Sequence, residues 1–174
     1  MKRDEKRGFS VKRLSLLAML LSLMLVLGWV ESLIPIDAAV PGIKLGLSNG
    51  VLVFAVFLLP AGDGWLLMLT KVLLSGFLFG SPSTILYAAA GGALSLLGMT
   101  LLHRIPGMHP VTVSILGGAL HNVGQVLLAM LMLSTASLLS YLAILLPVGM
   151  LCGALCGVCA NGVMKHTGRF GKGE

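Results

Sequence analysis

Charge is what this chain has least of. Asp, Glu, Lys and Arg together make up 10% of 174 residues, and only six of those charges are acidic. A soluble domain carries about 25%. The shortage excludes several kinds of chemistry. The aspartates are Asp4, Asp37 and Asp63, and no two stand close enough to form the aspartate-rich magnesium site that diphosphate chemistry uses. No two carboxylates pair for acid–base work, and no Walker motif is present to bind ATP. We therefore assign no catalytic residue and expect no cofactor. Cysteine is scarce as well. Cys152, Cys156 and Cys159 all fall in the last apolar run, with Cys152 and Cys156 on one helical face. A metal site competes there with plain packing of small residues, and packing is the reading we adopt.

What is abundant is apolar. Hydrophobic residues make up 57% of the chain, and the mean hydropathy is +1.01. This is the composition of an integral membrane protein, with no room for a separate soluble domain. The fold class expected is all-α, a polytopic bundle of six transmembrane helices. Their expected ranges are 14–34, about 45–59, 65–79, about 84–102, 111–133 and about 138–163. Some are shorter than the ~20 residues a span usually needs. Pro35, Pro60 and the Gly80-Ser81-Pro82-Ser83 segment punctuate them, Ala61-Gly62-Asp63-Gly64 reads as a tight turn, and Ser81 or Ser83 is available to cap the fourth span.

The net charge of +6 sits mostly at the ends. Lys2, Arg3, Lys6, Arg7, Lys12 and Arg13 precede the first apolar run, and Lys165, Arg169 and Lys172 follow the last. Basic flanks keep to the cytoplasmic side, so residues 1–13 and 164–174 read as cytoplasmic tails of a transmembrane domain spanning 14–163. The protein is expected in the cell (plasma) membrane as a multi-pass chain. The same flanks account for the basic charge without a nucleic-acid partner. The first run, from Leu14 to about Val30, is long for a signal peptide and has no A-x-A-like site after it, so it reads as a retained span.

Inside this apolar sequence lie Glu31, Asp37, Lys44, Asn49, Lys71, His121, Asn122 and Gln125. A charge near mid-bilayer costs about 3 kcal/mol or more, so such residues face an interior, pair with each other or hold something. The topology places them in the outer half of one bundle. His121 and Gln125, four apart, share a helix face, and Asn122 is turned away by about 100° and needs its own partner. They either bond helices to each other or line a ligand site. Lys71 is too deep to snorkel readily; it pairs with Glu31 or Asp37, or meets an anionic substrate group, or does each in turn. The lead-in Pro41 to Asn49 offers helix N–H groups to an anion, or is an ordinary helix start. Glu31 reads as a boundary residue or structural partner before a ligand contact. Trp29 and Tyr87 could add apolar or stacking contact. Small residues at packing spacing, Gly149, Gly153 and Gly157 among them, fit close helix contacts, and the Ala18/Ser22 face suits docking to another membrane subunit.

Glu31, Pro35, Pro41-Gly42-Ile43-Lys44-Leu45-Gly46-Leu47-Ser48-Asn49, Lys71 with Gly76, Tyr87-Ala88-Ala89-Ala90-Gly91-Gly92 and His121-Asn122-Val123-Gly124-Gln125 together resemble the Gx transporter family, also catalogued as heptaprenyl diphosphate synthase component I. The resemblance runs from Leu14 to about Lys165. It implies a likeness to the substrate-binding S components of energy-coupling factor transporters, six-helix proteins that capture vitamin-like solutes and work with a membrane coupling protein and two ATPases. Ala18 and Ser22 match the small-residue docking pattern of that first helix, with Ser in place of Ala. The other name implies a role in making the menaquinone side chain, as a non-catalytic component. Two functions follow as expectations: capture and transport of a small, anionic or vitamin-like solute by Lys71, His121, Asn122, Gln125, Lys44, Asn49 and Glu31, or membrane support of prenyl diphosphate synthesis. A third reading, a structural protein without a ligand, has the polar residues pair with one another.

Overall fold

The computed structural model describes residues 11–33 and 43–166; Asp37 and the Pro35–Gly42 connector lie outside them. Among the described residues there is no strand. The elements are α1 (Val11–Ser32), α2 (Leu47–Gly50), α3 (Leu52–Leu58), α4 (Ala61–Phe79), α5 (Pro82–His103), α6 (Pro110–Leu133) and α7 (Leu138–His166). Helices α1, α4, α5, α6 and α7 are long and apolar enough to cross a membrane. This is a multi-pass helical membrane bundle. Its outer surface is apolar, with Phe77 80% and Leu131 77% exposed, an arrangement that water would not tolerate and acyl chains match.

The second expected span differs most from the sequence reading. In place of one helix over 45–59 there are two short pieces, α2 and α3, separated by Val51, and Ile43–Gly46 precede them without helical structure. Twelve residues rise about 18 Å, well short of a ~30 Å hydrocarbon core. Gly46 is the cause at the upper end. Its φ of 84° is left-handed, and a Cβ there would stand 2.5 Å from His121 Cδ2. The backbone must bend and approach α6 closely at this point, and glycine allows both. The segment is nonetheless at the centre of the molecule. Ser48, Asn49, Leu52 and Val53 are almost wholly buried, and α2 packs against α1, α6 and α7.

The stretch Ala61-Gly62-Asp63-Gly64 is also a correction, because it is the first turn of α4 and not a separate turn. Pro60 precedes it in a non-helical conformation, and Asp63 suits the positive end of the helix dipole. Asp63 is buried and is held by Arg13 of α1 in a two-pronged ion pair, the Nε contact measuring 2.7 Å. The cap of α5 is Ser81, whose hydroxyl accepts the Thr84 N–H at 3.3 Å.

That ion pair joins the starts of α1 and α4. Phe57 near the end of α3 packs in a tilted ring contact on His103 at the end of α5, and Gly157, late in α7, lies against Val111 at the start of α6. All these meet at one end of the bundle, so the chain crosses an even number of times. Arg13, Arg104 and Lys165 share that end, the one the positive-inside rule expects on the cytoplasmic side. The tightest packing is between α6 and its neighbours α5 and α7. A Cβ on Gly153 would come within 2.9 Å of the Ile115 Cα, a backbone approach that only small residues permit.

Candidate functional site

Helical periodicity brings the polar residues inward. On α4 the buried stripe runs Gly64, Leu67, Met68, Lys71, Val72, Ser75 and Gly76, and on α1 it runs Leu17, Leu20, Met24, Gly28 and Glu31. On α6, His121, Asn122 and Gln125 are all buried among Gly117, Gly124 and Val126. Glu31, Asn49, Lys71, His121, Asn122 and Gln125 each keep 4% or less of their surface. Lys44 is half-buried. The expected site residues are thus largely brought into one interior, built from α1, α2, α4 and α6 and backed by α5.

Three of them are spent on the protein itself. The Glu31 carboxylate accepts the backbone N–H of Gly46 and that of Leu47, the latter at 3.2 Å, and the Ser48 hydroxyl at 3.3 Å. The anion at the start of α2 is therefore an internal one, and Glu31 is a structural partner. Gln125 forms a closed pair with the backbone of Lys44: its Nε2 donates to the Lys44 carbonyl and its Oε1 accepts the Lys44 N–H, each at 2.9 Å. This closure satisfies a stretch of non-helical chain that would otherwise leave buried polar groups open. Asn122 Nδ2 donates to the Leu145 carbonyl of α7 at 2.6 Å, while its Oδ1 is buried with no partner among the described residues.

What remains is Lys71, His121 and Asn49. Among the described residues no hydrogen bond or ion pair engages the Lys71 ammonium, although it lies within electrostatic reach of Glu31, Lys44 and His121. The ion pair with Glu31 considered from the sequence does not form; Asp37 lies outside the described residues. His121 Nδ1 is buried and faces Gly91 of α5 without reaching hydrogen-bonding geometry. A Cβ on Gly91 would stand 2.9 Å from that nitrogen. Asn49 turns its Oδ1 toward Gly92 of α5, and no hydrogen bond to its side chain is formed among the described residues. Together these offer a cation, a ring nitrogen and an amide on neighbouring elements, which suits a small anionic or strongly polar group.

Other expectations fare differently. The Lys44 ammonium stands over the Phe79 ring, 5.5 Å from its centroid, a cation–π contact at the far end of α4. Tyr87 is buried, whereas Trp29 is 52% exposed and faces outward. The cysteines are free, and Cys156 Sγ donates to the Leu47 carbonyl at 3.5 Å. Among the described residues no group of three or more His, Cys, Asp or Glu could hold a metal. The sequence reading missed Ser48, whose hydroxyl has no charge to draw attention, and the Arg13–Asp63 pair, whose members are fifty residues apart.

Comparison with curated proteins and with solved structures finds no match. A model of one family, described as heptaprenyl diphosphate synthase component I, matches residues 20–163. That range holds α2 to α6 entire, most of α1 and α7, and every residue of the polar interior. The chain belongs to the heptaprenyl diphosphate synthase component I family.

Proposed function

We propose that the protein is a non-catalytic membrane component of a heptaprenyl diphosphate synthesis system, seated in the plasma membrane, whose buried centre holds an anionic group against Lys71. The observation that carries this reading is Lys71 itself: 4% exposed, charged, and without a hydrogen-bond or ion-pair partner among the described residues. A lone cation is costly inside a bilayer and marks a functional position. His121 and Asn49 supply the neighbouring polar contacts. Family membership supports the association with prenyl diphosphate synthesis. The aspartate-poor sequence supports a supporting role, because the magnesium-binding carboxylates that prenyl transfer needs would have to come from a partner.

The test is reconstitution. The protein in nanodiscs is added to the soluble prenyltransferase of the same system, and formation of the long-chain product is followed. The proposal expects wild-type protein to bind the enzyme and raise product formation, and Lys71→Met to bind it without that effect. If the wild-type protein neither binds nor stimulates, the reading is wrong.

One observation favours a second reading, capture of a small organic solute in the manner of energy-coupling factor S components. The α2–α3 segment is entered through non-helical chain, Ile43–Gly46, near a cation that no described residue engages in a hydrogen bond or ion pair, and non-helical chain at membrane depth commonly borders substrate sites in transporters. Under this reading a coupling membrane protein with ATPase subunits docks on α1, where Ala18 and Ser22 are exposed. The Ser22 hydroxyl donates to the Ala18 carbonyl at 2.9 Å, which leaves a smooth, low face. Ala18→Trp would abolish co-purification with such a partner, and undiminished co-purification would remove that docking face.

A further inference from the structure

A cleft of about 250 Å³ opens at the basic end of the bundle, remote from the polar interior. Its walls are apolar, formed by Ala55, Val56 and Leu59 of the α3 end and Leu96 of α5. Its rim carries His103 and Arg104, where α5 ends. The His103 ring is held in place by Phe57, their centroids 4.2 Å apart. Among the described residues no hydrogen bond or ion pair engages the Arg104 guanidinium. The two acidic residues described do not neutralise this rim. Glu31 is bound to Gly46, Leu47 and Ser48 at the other end of α1, and Asp63 is held by Arg13.

We infer that this cleft is a binding site for a phosphate-bearing amphiphile of the cytoplasmic leaflet. Arg104 presents a planar fork of donors suited to a phosphoryl group, and His103 adds a second donor beside it. The alkyl walls below take the first carbons of an apolar tail. The cavity is smaller than those that enclose a whole drug-sized ligand, so it accepts a headgroup and the start of a chain, with the remainder in the bilayer. The site stands on its own geometry and does not depend on Lys71. Two sources share the required chemistry: a phospholipid with an exposed phosphate, or an isoprenoid phosphate or diphosphate.

The test uses the full chain in nanodiscs of neutral lipid. Two probes are titrated separately, farnesyl diphosphate and phosphatidic acid. Binding is compared for wild type, for the doubly substituted His103→Gln/Arg104→Gln protein, and for Ala61→Phe, which places an aromatic ring at the cleft from an exposed position. The expected result is a loss on the order of tenfold in affinity for one or both probes in the double variant and a comparable loss in Ala61→Phe. Loss with farnesyl diphosphate alone names an isoprenoid source, and loss with phosphatidic acid alone names a phospholipid source. Wild-type affinity for both probes in both cleft variants overturns the inference. So does failure of the wild-type protein to bind either probe, or binding of inorganic diphosphate as tight as that of farnesyl diphosphate.

Discussion

Lys71 and Gln125 show how differently two buried polar side chains can be used. Gln125 is fully occupied, closing both hydrogen bonds of the Lys44 peptide. Gln125→Leu strands a buried N–H and a buried carbonyl, and should destabilise the protein by about 1–3 kcal/mol in thermal unfolding of the detergent-solubilised chain. An unchanged midpoint would mean that the Lys44 backbone finds other partners. Lys71 is the opposite case. Lys71→Met removes from the interior a charge that no described residue pairs, and ligand-free protein should gain about 1–3 kcal/mol. A loss of stability would reveal a structural counter-ion and count against a binding role. The sequence made the burial of Lys71 legible, since a lysine between Leu69-Thr70 and Val72-Leu73 has no room to reach water. It could not make the Gln125–Lys44 pair legible, because the partner is a peptide group 81 positions away.

At the scale of elements, α5, α6 and α7 follow closely from the apolar runs and their Pro, Ser and turn boundaries. The departures have local physical causes. The second span starts late because Gly46 takes a left-handed conformation against His121. The α4 helix starts early because Asp63 is held in its first turn by Arg13, an interaction between α1 and α4 that no local pattern announces. Two predictions belong here. Arg13→Ala leaves the buried Asp63 carboxylate without its Arg13 partner, so it should lower stability, and adding Asp63→Asn should restore part of that loss. Wild-type stability of the Arg13→Ala protein would show that the pair contributes nothing. Gly91→Ala places a Cβ 2.6 Å from the His121 carbonyl, so α5 and α6 must separate, at about 1–3 kcal/mol. Retention of full stability would show that this contact is loose.

The whole molecule is a membrane bundle wrapped around a polar interior, with a second, basic cleft at the end where α1 starts and α7 finishes. The composition made the bundle legible, and the charged ends give the expected orientation. That orientation can be checked in a cysteine-free background: Ile105→Cys should react with a membrane-impermeant thiol reagent only from the cytoplasmic side, and Ser134→Cys only from the outside. Reaction from the reverse sides would invert the topology. The interior was legible as a set of residues but not as a set of roles. Which polar groups satisfy one another depends on contacts between distant helices, and only those leave Lys71, His121 and Asn49 over.

The most direct measurement is the identity of small molecules retained by gently purified protein, read by mass spectrometry for wild type and Lys71→Met side by side. The account expects an anionic molecule in the wild-type sample and its absence from a Lys71→Met protein that is folded to the same extent. The same molecule retained at the same level by both proteins, or none retained by wild type, would contradict an anion held at Lys71.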